Sequence, residues 1–342
     1  LKDHGLKLLI DAPVEPAALA ALRGSGLFEF DCMDPPEEKA RAIDPARLRD
    51  VDALFCTFPP SNHRDLNAVR WVQITSAGYT QLFGLDLAER GVRATNARGC
   101  FDVPIGEWCA AMMVNLARDL RQMIRNQESG TWDRSAVFQR EVRGTTVGVW
   151  GYGGIGRETA RLAKQMGMNV NVLTRPGVVG PRRDVFTVAG AGDPDGLLPD
   201  RVFGAGAVLE FLGGLDFLVL AVPLTKATEG MIGDRELRAL PRSAYLLNPA
   251  RGPIIQRDAL LRALREGWIA GAALDTHYQY PTPPEDPLWR VPNVIFTPHI
   301  AGSTLSPRYR TRLWEVFAAN AVRFARGEPL LNELTPQQLA GD

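Results

Sequence analysis

The stretch VGVWGYGGIG at residues 147–156 sets three glycines, Gly151, Gly153 and Gly156, between an apolar run and a helix-forming one. Each glycine has a physical task in such a turn. The first permits the tight bend, the second lets backbone approach a ligand, and the third lets helix and strand pack closely. A helix starting here offers free N–H groups and the positive end of its dipole, which suit a pyrophosphate. Gly151, Gly153, Gly154, Ile155 and Gly156 are thus the candidate phosphate cradle of a dinucleotide; the plain alternative is a tight turn without a ligand. The next apolar run ends at Thr174 and Arg175, with no acid before Asp184. A site for NAD usually sets Asp or Glu about 20 residues on, to hold the ribose 2′-hydroxyl. An arginine instead grips a 2′-phosphate bidentately. This favours NADP over NAD, with NAD still open. Arg182 and Arg183 are further candidate cations, and a merely solvated Arg175 is the alternative.

Elements must hold these residues in place. Short apolar runs at 6–10, 28–32, 53–57, 71–75 and 92–96 alternate with helical pattern, starting with a helix over 15–23. A second block has strands predicted over 146–150, 169–174, 217–222, 244–248, 270–275 and 294–297. Its helices are predicted over 156–166, 234–240 and 257–266. Strands separated by helices mark βαβ units and parallel sheets. The expected fold class is α/β, with two doubly wound parallel-sheet domains of the Rossmann or flavodoxin type. Residues 105–126 read as one long helix and 308–326 as an amphipathic one, while 176–214, rich in Gly and Pro, resist assignment.

Composition sets the outer limits. The 342 residues, 45% hydrophobic and 23% charged, suffice for two cored domains. Lys+Arg 39 balances Asp+Glu 39, which argues against a nucleic-acid partner and against a polybasic membrane anchor. No apolar run approaches the ~20 residues of a membrane helix. No signal peptide is read. The four cysteines, Cys32, Cys56, Cys100 and Cys109, form no CxxC pair. The expectation is a cytoplasmic chain with buried, reduced thiols and no metal site.

Three more motifs follow the glycine turn: LAVPLTKATEGMIG (220–233), LLNPARGPII (246–255) and FTPHIAGST (296–304). Before it stand ITSAGYTQLFGLDLAERGV (74–92) and IGEW (105–108). In this order the chain resembles the D-isomer-specific 2-hydroxyacid dehydrogenase family over nearly its whole length. It is most similar to the NADP-preferring, glyoxylate/hydroxypyruvate reductase-like branch. The resemblance implies two domains with a cleft between them. Residues 1–100 plus 304–342 would form a flavodoxin-like substrate domain, and 101–303 the dinucleotide-binding domain. It further implies a homodimer joined through the helix near 105–126, and hydride transfer between NADP(H) and a small 2-oxo or D-2-hydroxy acid.

By the same resemblance Arg251 clamps the substrate carboxylate and polarises its keto oxygen, and His299 is the acid–base group. A planar, permanent cation suits the adjacent carboxylate and carbonyl of a 2-oxo acid. Imidazole is the side chain best poised to deliver a proton near neutral pH. Ser76, Ala77, Gly78 and Tyr79 match a loop whose N–H groups receive the carboxylate. Phe58 touches the substrate side chain or packs in the core, Asp275 falls near the nicotinamide carboxamide, and Pro223 beside the adenine. Glu107 is structural at a helix start. His277 has no role in the family pattern and reads as packing or pocket rim; His4 sits at the start of the chain.

One departure touches the chemistry. The family places a glutamate five residues after the aspartate, just before a proline, where it hydrogen-bonds the histidine; here Tyr280 precedes Pro281. A neutral phenol favours imidazolium far less than a carboxylate does. His299 is therefore expected to titrate low, with the Tyr280 hydroxyl left to orient the ring. The stretch 176–214 is also longer than family members have, as a lid, an added turn near the adenine, or a surface insertion. Phe58, Tyr79, Tyr278 and Tyr280 would suit a bulkier substrate side chain. Two other functions stay open: oxidation of another small oxyacid, as in formate- and phosphite-oxidising branches, and a nucleotide-binding sensor or scaffold without turnover.

Overall fold

The computed structural model describes residues 5–37, 39–135 and 137–340; His4 lies outside them. The chain divides into two compact units. One comprises the chain up to Phe101, Arg183–Val188, and the chain from Thr304; the other comprises Asp102–Arg182 and Ala189–Ser303.

The first unit holds strands β1 (Leu6–Asp11), β2 (Phe28–Cys32), β3 (Ala53–Cys56), β4 (Trp71–Ile74) and β5 (Arg93–Thr95). They form one parallel sheet in the order β2-β1-β3-β4-β5. β3 and β4 are buried at every residue, as a parallel strand covered on both faces must be. The helix Pro307–Arg326 lays Leu313, Trp314, Phe317 and Ala321 on this sheet, with Phe317 stacked on Phe55 at 4.2 Å between ring centres. Amid this apolar contact Asn320 is fully buried. Its amide donates to Gln73 Oε1 (3.1 Å) and to the Leu331 carbonyl (3.0 Å), and accepts from the Leu331 N–H (2.7 Å). Thr95 and the Trp71 indole extend the same network, with Trp71 Nε1 donating to Thr95 Oγ1 at 2.8 Å and Thr95 Oγ1 to Gln73 Oε1 at 2.7 Å.

The second unit holds β6 (Thr146–Trp150), β7 (Asn169–Leu173), β8 (Arg201–Phe203), β9 (Phe217–Leu220), β10 (Tyr245–Asn248), β11 (Gly271–Leu274) and β12 (Val294–Phe296). All pair in parallel, in the order β12-β11-β10-β9-β6-β7-β8. The chain builds outward from β6 through β8, then returns to β9 and builds the other way. The reversal between β6 and β9 is a topological switch point, where the carboxyl ends of the strands leave a crevice for ligands. The helices Asp102–Ala117 and Gly154–Gln165 approach closely at Gly106, where an added Cβ would lie 2.6 Å from Glu158 Cγ.

The two parallel α/β sheets match the expected fold class, and local details differ. The span 105–126 is two helices, Asp102–Ala117 and Leu120–Glu128. Between them Asp119 takes a left-handed φ of +46° and its side chain caps the second helix by accepting from Gln122 N–H. The unassigned stretch 176–214 contains the edge strand β8 and a short helix, Val208–Leu212. Its first part is tied down by Asp193, whose carboxylate accepts from the Tyr152 hydroxyl (2.6 Å) and from the N–H groups of Gly196, Leu197 and Leu198. The expected second domain, 101–303, is interrupted at Arg183–Val188, which belongs to the first unit. There Phe186 N–H donates to Asn332 Oδ1 and Asn332 N–H to the Asp184 carbonyl, both at 3.2 Å, so distant chain supplies the backbone partners. Cys56, Cys100 and Cys109 are buried and Cys32 half-buried. Burial pushes the Cys109 thiol up to about 12, which leaves it inert as a nucleophile. Among the described residues no helix is long and apolar enough to cross a membrane.

Asn320→Ala strips partners from buried groups, each worth about 1–3 kcal/mol when orphaned. Urea unfolding is expected to show a loss of at least about 2 kcal/mol. A loss under about 0.5 kcal/mol, the size of a neutral surface change, would show that the network carries no weight.

Candidate functional site

Gly151 turns the chain out of β6 with φ +97°, a region open to glycine and costly for other residues. Gly156 lies hard against the same turn: an added Cβ would sit 2.3 Å from the Gly151 carbonyl oxygen and 2.9 Å from Val149. Gly153 is the opposite case, with nothing within 4 Å of an added Cβ. It is the N-cap of the helix Gly154–Gln165, whose first turn carries no acid and no side-chain cap. Half-buried Ile155 lies in that first turn. Uncapped N–H groups beside open space, at the positive end of a helix, fit a diphosphate. Gly154 instead faces inward, where a Cβ would meet Asp102 Oδ2 at 1.7 Å, so its missing side chain serves helix packing.

Thr174, just past β7, is fixed by its N–H to Phe203 carbonyl (3.0 Å) and its hydroxyl to Val178 carbonyl (3.1 Å). Arg175 is exposed and forms no ion pair among the described residues. Arg182 turns to the Asp102 carboxylate at 3.8 Å and is not a free companion to Arg175, and Arg183 belongs to the first unit. Pro223 is exposed beyond β9, its carbonyl accepting from the Thr228 hydroxyl at 2.7 Å.

Three loops of the second unit converge farther along the sheet. After β10, the buried Asn248 side chain accepts from Ala250 N–H (3.1 Å) and donates to the Arg251 carbonyl (2.9 Å), which folds the NPARG turn. The half-buried Arg251 guanidinium donates to the Ala250 carbonyl at 2.7 Å and meets no carboxylate among the described residues. After β11 comes Asp275, 1% exposed. Its Oδ1 accepts from the Thr297 hydroxyl (2.6 Å) and Ile300 N–H (2.9 Å), and its Oδ2 from Ala301 N–H (3.0 Å). These donors belong to the loop after β12 that carries His299, itself at φ +58°. Asp275 thus holds the histidine turn.

Tyr280 does not orient the imidazole through its hydroxyl. The hydroxyl accepts from the His277 backbone N–H at 3.0 Å, and the ring lies against His299, 5.4 Å between centres and tilted 52°. The phenol oxygen satisfies a backbone donor that would otherwise lose its partner. Tyr278 donates its hydroxyl to the Ile255 carbonyl at 2.9 Å and packs on the core. His277, expected to be packing or pocket rim, is buried and stacked on Phe296, while its bond to Thr297 was not foreseen. The signal available was a histidine, one of four in the chain, two residues past the aspartate.

The electrostatics follow from this placement. His299 reaches the surface, yet its neighbours displace enough water to push its pKa below the ordinary imidazole value. The Arg251 charge pushes it further down, and the Asp275 carboxylate opposes. In the first unit the Ser76–Tyr79 loop has its carbonyls tied: Ser76 to Ala97 N–H, Ala77 to Asn96 Nδ2 and Gly78 to Ser76 Oγ. The N–H groups of Ala77, Gly78 and Tyr79 find no acceptor among the described residues, so three successive backbone donors are left free. Phe58, in the loop after β3, is 38% exposed.

Comparison with known proteins adds an independent finding. The NAD binding domain of D-isomer specific 2-hydroxyacid dehydrogenases matches residues 110–189 and 199–301. The glyoxylate reductase of Korarchaeum cryptofilum is 32% identical over 311 residues, 88% of each chain. The crystal structure of a D-isomer specific 2-hydroxyacid dehydrogenase family protein from Aeromonas salmonicida has a TM-score of 0.78 at 26% identity, covering 96% of this chain and 99% of that one. An NADPH-dependent glyoxylate/hydroxypyruvate reductase from Sinorhizobium meliloti, in complex with citrate, has a TM-score of 0.72 at 26% identity, covering 96% and 98%.

The lowered His299 pKa has a measurable sign. Its imidazolium should be more than half lost, as pH rises, by the ~6.5 midpoint of a free histidine. Tyr280→Glu, which sets a carboxylate beside the ring, should raise that midpoint by about one unit or more. NMR titration of the His299 ring reads both. A wild-type midpoint above the free value, or no shift in the variant, would contradict this account.

Proposed function

The chain belongs to the D-isomer-specific 2-hydroxyacid dehydrogenase family, and from that premise we propose that it reduces a small 2-oxo acid to the D-2-hydroxy acid with NADPH. It is, with its family, an NAD(P)-dependent oxidoreductase acting on CH–OH donors. The observation that carries the finer reading is the Arg251 guanidinium, half-buried and without a carboxylate, acting electrostatically on His299. A partly buried cation without a counter-ion gains when an anion completes it. The carboxylate of a 2-oxo acid does so, and the guanidinium fork then also draws electron density from the adjacent keto oxygen. Bound NADPH supplies the hydride. His299 delivers the proton that the nascent alkoxide needs. Asp275 keeps His299 in its turn, and the free N–H groups of Ala77, Gly78 and Tyr79 in the first unit would suit a carboxylate.

The uncapped helix start at Gly153 would hold the cofactor diphosphate. Arg175, exposed and unpaired, is the residue that would take a 2′-phosphate, which supports NADP over NAD. Glyoxylate and hydroxypyruvate are the first substrates to test, since the similar reductases named above carry those names. Exposed Val114 and Ile124, on the helices Asp102–Ala117 and Leu120–Glu128, suit a homodimer surface.

Absorbance at 340 nm, with NADPH and then NADH against a panel of 2-oxo acids, tests this reading. Turnover favouring NADPH is expected. Arg175→Asp should cost NADPH use about 10-fold or more, since one charge-assisted bond is worth about 1.5–3 kcal/mol. Tight NADPH binding with no turnover on any 2-oxo acid would overturn the reading and favour a sensor or an enzyme for another oxyacid. Arg251→Gln should lower kcat/KM at least about 100-fold through loss of a bidentate charge.

A further inference from the structure

His277 sits where the three loops after β10, β11 and β12 meet, and nothing in the motif reading uses it. It is 4% exposed, with its ring stacked on Phe296 at 3.8 Å between centres. A phenyl ring could stack there equally well. An imidazole in that place must bury two nitrogens, and one of them, Nδ1, has no hydrogen-bond partner among the described residues. Burying a polar atom without a partner is costly. The other nitrogen shows what that cost sustains. Nε2 lies 2.7 Å from the Thr297 carbonyl, a contact that requires the ring to donate from Nε2.

The Thr297 carbonyl is a particular acceptor. It also receives the His299 N–H at 3.0 Å, so one oxygen joins the buried histidine to the exposed one. His299 has φ +58°, which a residue with a side chain holds only when its surroundings over-determine it. Asp275 fastens the far side of the turn at Ile300 and Ala301. His277 fastens the near side. The His277 backbone is pinned in turn: its N–H donates to the Tyr280 hydroxyl, whose ring lies on His299. An added Cβ on Gly252, beside Arg251, would sit 2.5 Å from the His277 carbonyl carbon. Any shift of His277 therefore reaches the Arg251 turn, Tyr280 and the His299 turn together.

We propose that His277 is a positioning residue for His299, its Nε2–H bond to the Thr297 carbonyl supplying, with Tyr280, the orientation that a glutamate before Pro281 would otherwise give. The proposal rests on the reading of His299 as the proton donor. In it the missing carboxylate is replaced by a hydrogen-bonded hold on the turn, which aims the ring without supplying a negative charge.

The test compares His277→Phe, which keeps the stack and loses the donor, with His277→Gln, which restores an N–H at similar reach. Turnover of the best 2-oxo acid is expected to fall about 10- to 100-fold in His277→Phe, the scale of a misplaced catalytic group. KM should change little, NADPH binding should be retained, and His277→Gln should recover most of kcat. Amide hydrogen exchange across residues 297–301 needs no turnover. It should quicken in His277→Phe and stay near wild type in His277→Gln. Tyr280→Phe, which removes only the acceptor for the His277 N–H, should quicken it less; it also serves if His277→Phe does not fold, and unchanged exchange there would then count against the proposal. Unchanged kcat and exchange in His277→Phe would overturn it, as would a His277→Gln as impaired as His277→Phe. A wild type that reduces no 2-oxo acid sinks the functional reading alone. Exchange then decides the fastening by the same two outcomes.

Discussion

A carboxylate withdrawn from water must find donors, and Asp275 finds all three of its own in one short loop. The Thr297 hydroxyl and the Ile300 and Ala301 N–H groups converge on it at 2.6–3.0 Å. The sheet sets the stage, since parallel pairing of β11 with β12 brings both strand ends to the same edge. Once Asp275 is buried there, the chain after β12 has little choice of path. It wraps the carboxylate, and His299 is left at the crest of the wrap in a backbone conformation it would not adopt alone. The position of the acid–base candidate is thus a consequence of satisfying a buried charge.

Charge explains the rest of the site. Arg251 is held by its own turn and meets no acid among the described residues, and Asp275 has its oxygens engaged by the loop. With Tyr280 where a glutamate would stand, no group among the described residues favours the charged form of His299 apart from the buried Asp275. The site rests electropositive at Arg251 and reluctant to protonate at His299. A bound carboxylate changes both at once, neutralising the arginine and favouring the imidazolium. On the proposed function, substrate binding and proton loading would be coupled by the same ion pair.

Much of this was legible in the sequence, for identifiable reasons. The glycine turn is local: strand, three spaced glycines and helix lie within a few residues, so spacing alone defines it. The strands of both sheets announce themselves as apolar runs because parallel strands are covered on both faces. What could not be read depends on partners far along the chain or on single dihedrals. The break at Asp119 interrupts no apolar periodicity; it shows only as one left-handed residue. The excursion of Arg183–Val188 is fixed by Asn332, 146 residues from Phe186. β8 has three residues in a Gly- and Pro-rich stretch, too few for any pattern. The place of Tyr280 before Pro281 is plain in the sequence, but which atom its hydroxyl meets depends on His277, and no spacing rule states that.

The coupling between anion and proton is the central claim, and calorimetry tests it most directly. Oxamate, an unreactive analogue of a 2-oxo acid, would be titrated into the enzyme with reduced cofactor near pH 7, in two buffers of different ionisation heat. The account requires binding that takes up close to one proton, with the uptake lost in His299→Gln and the binding lost in Arg251→Gln. Tight oxamate binding without proton uptake, or uptake that survives His299→Gln, would contradict it.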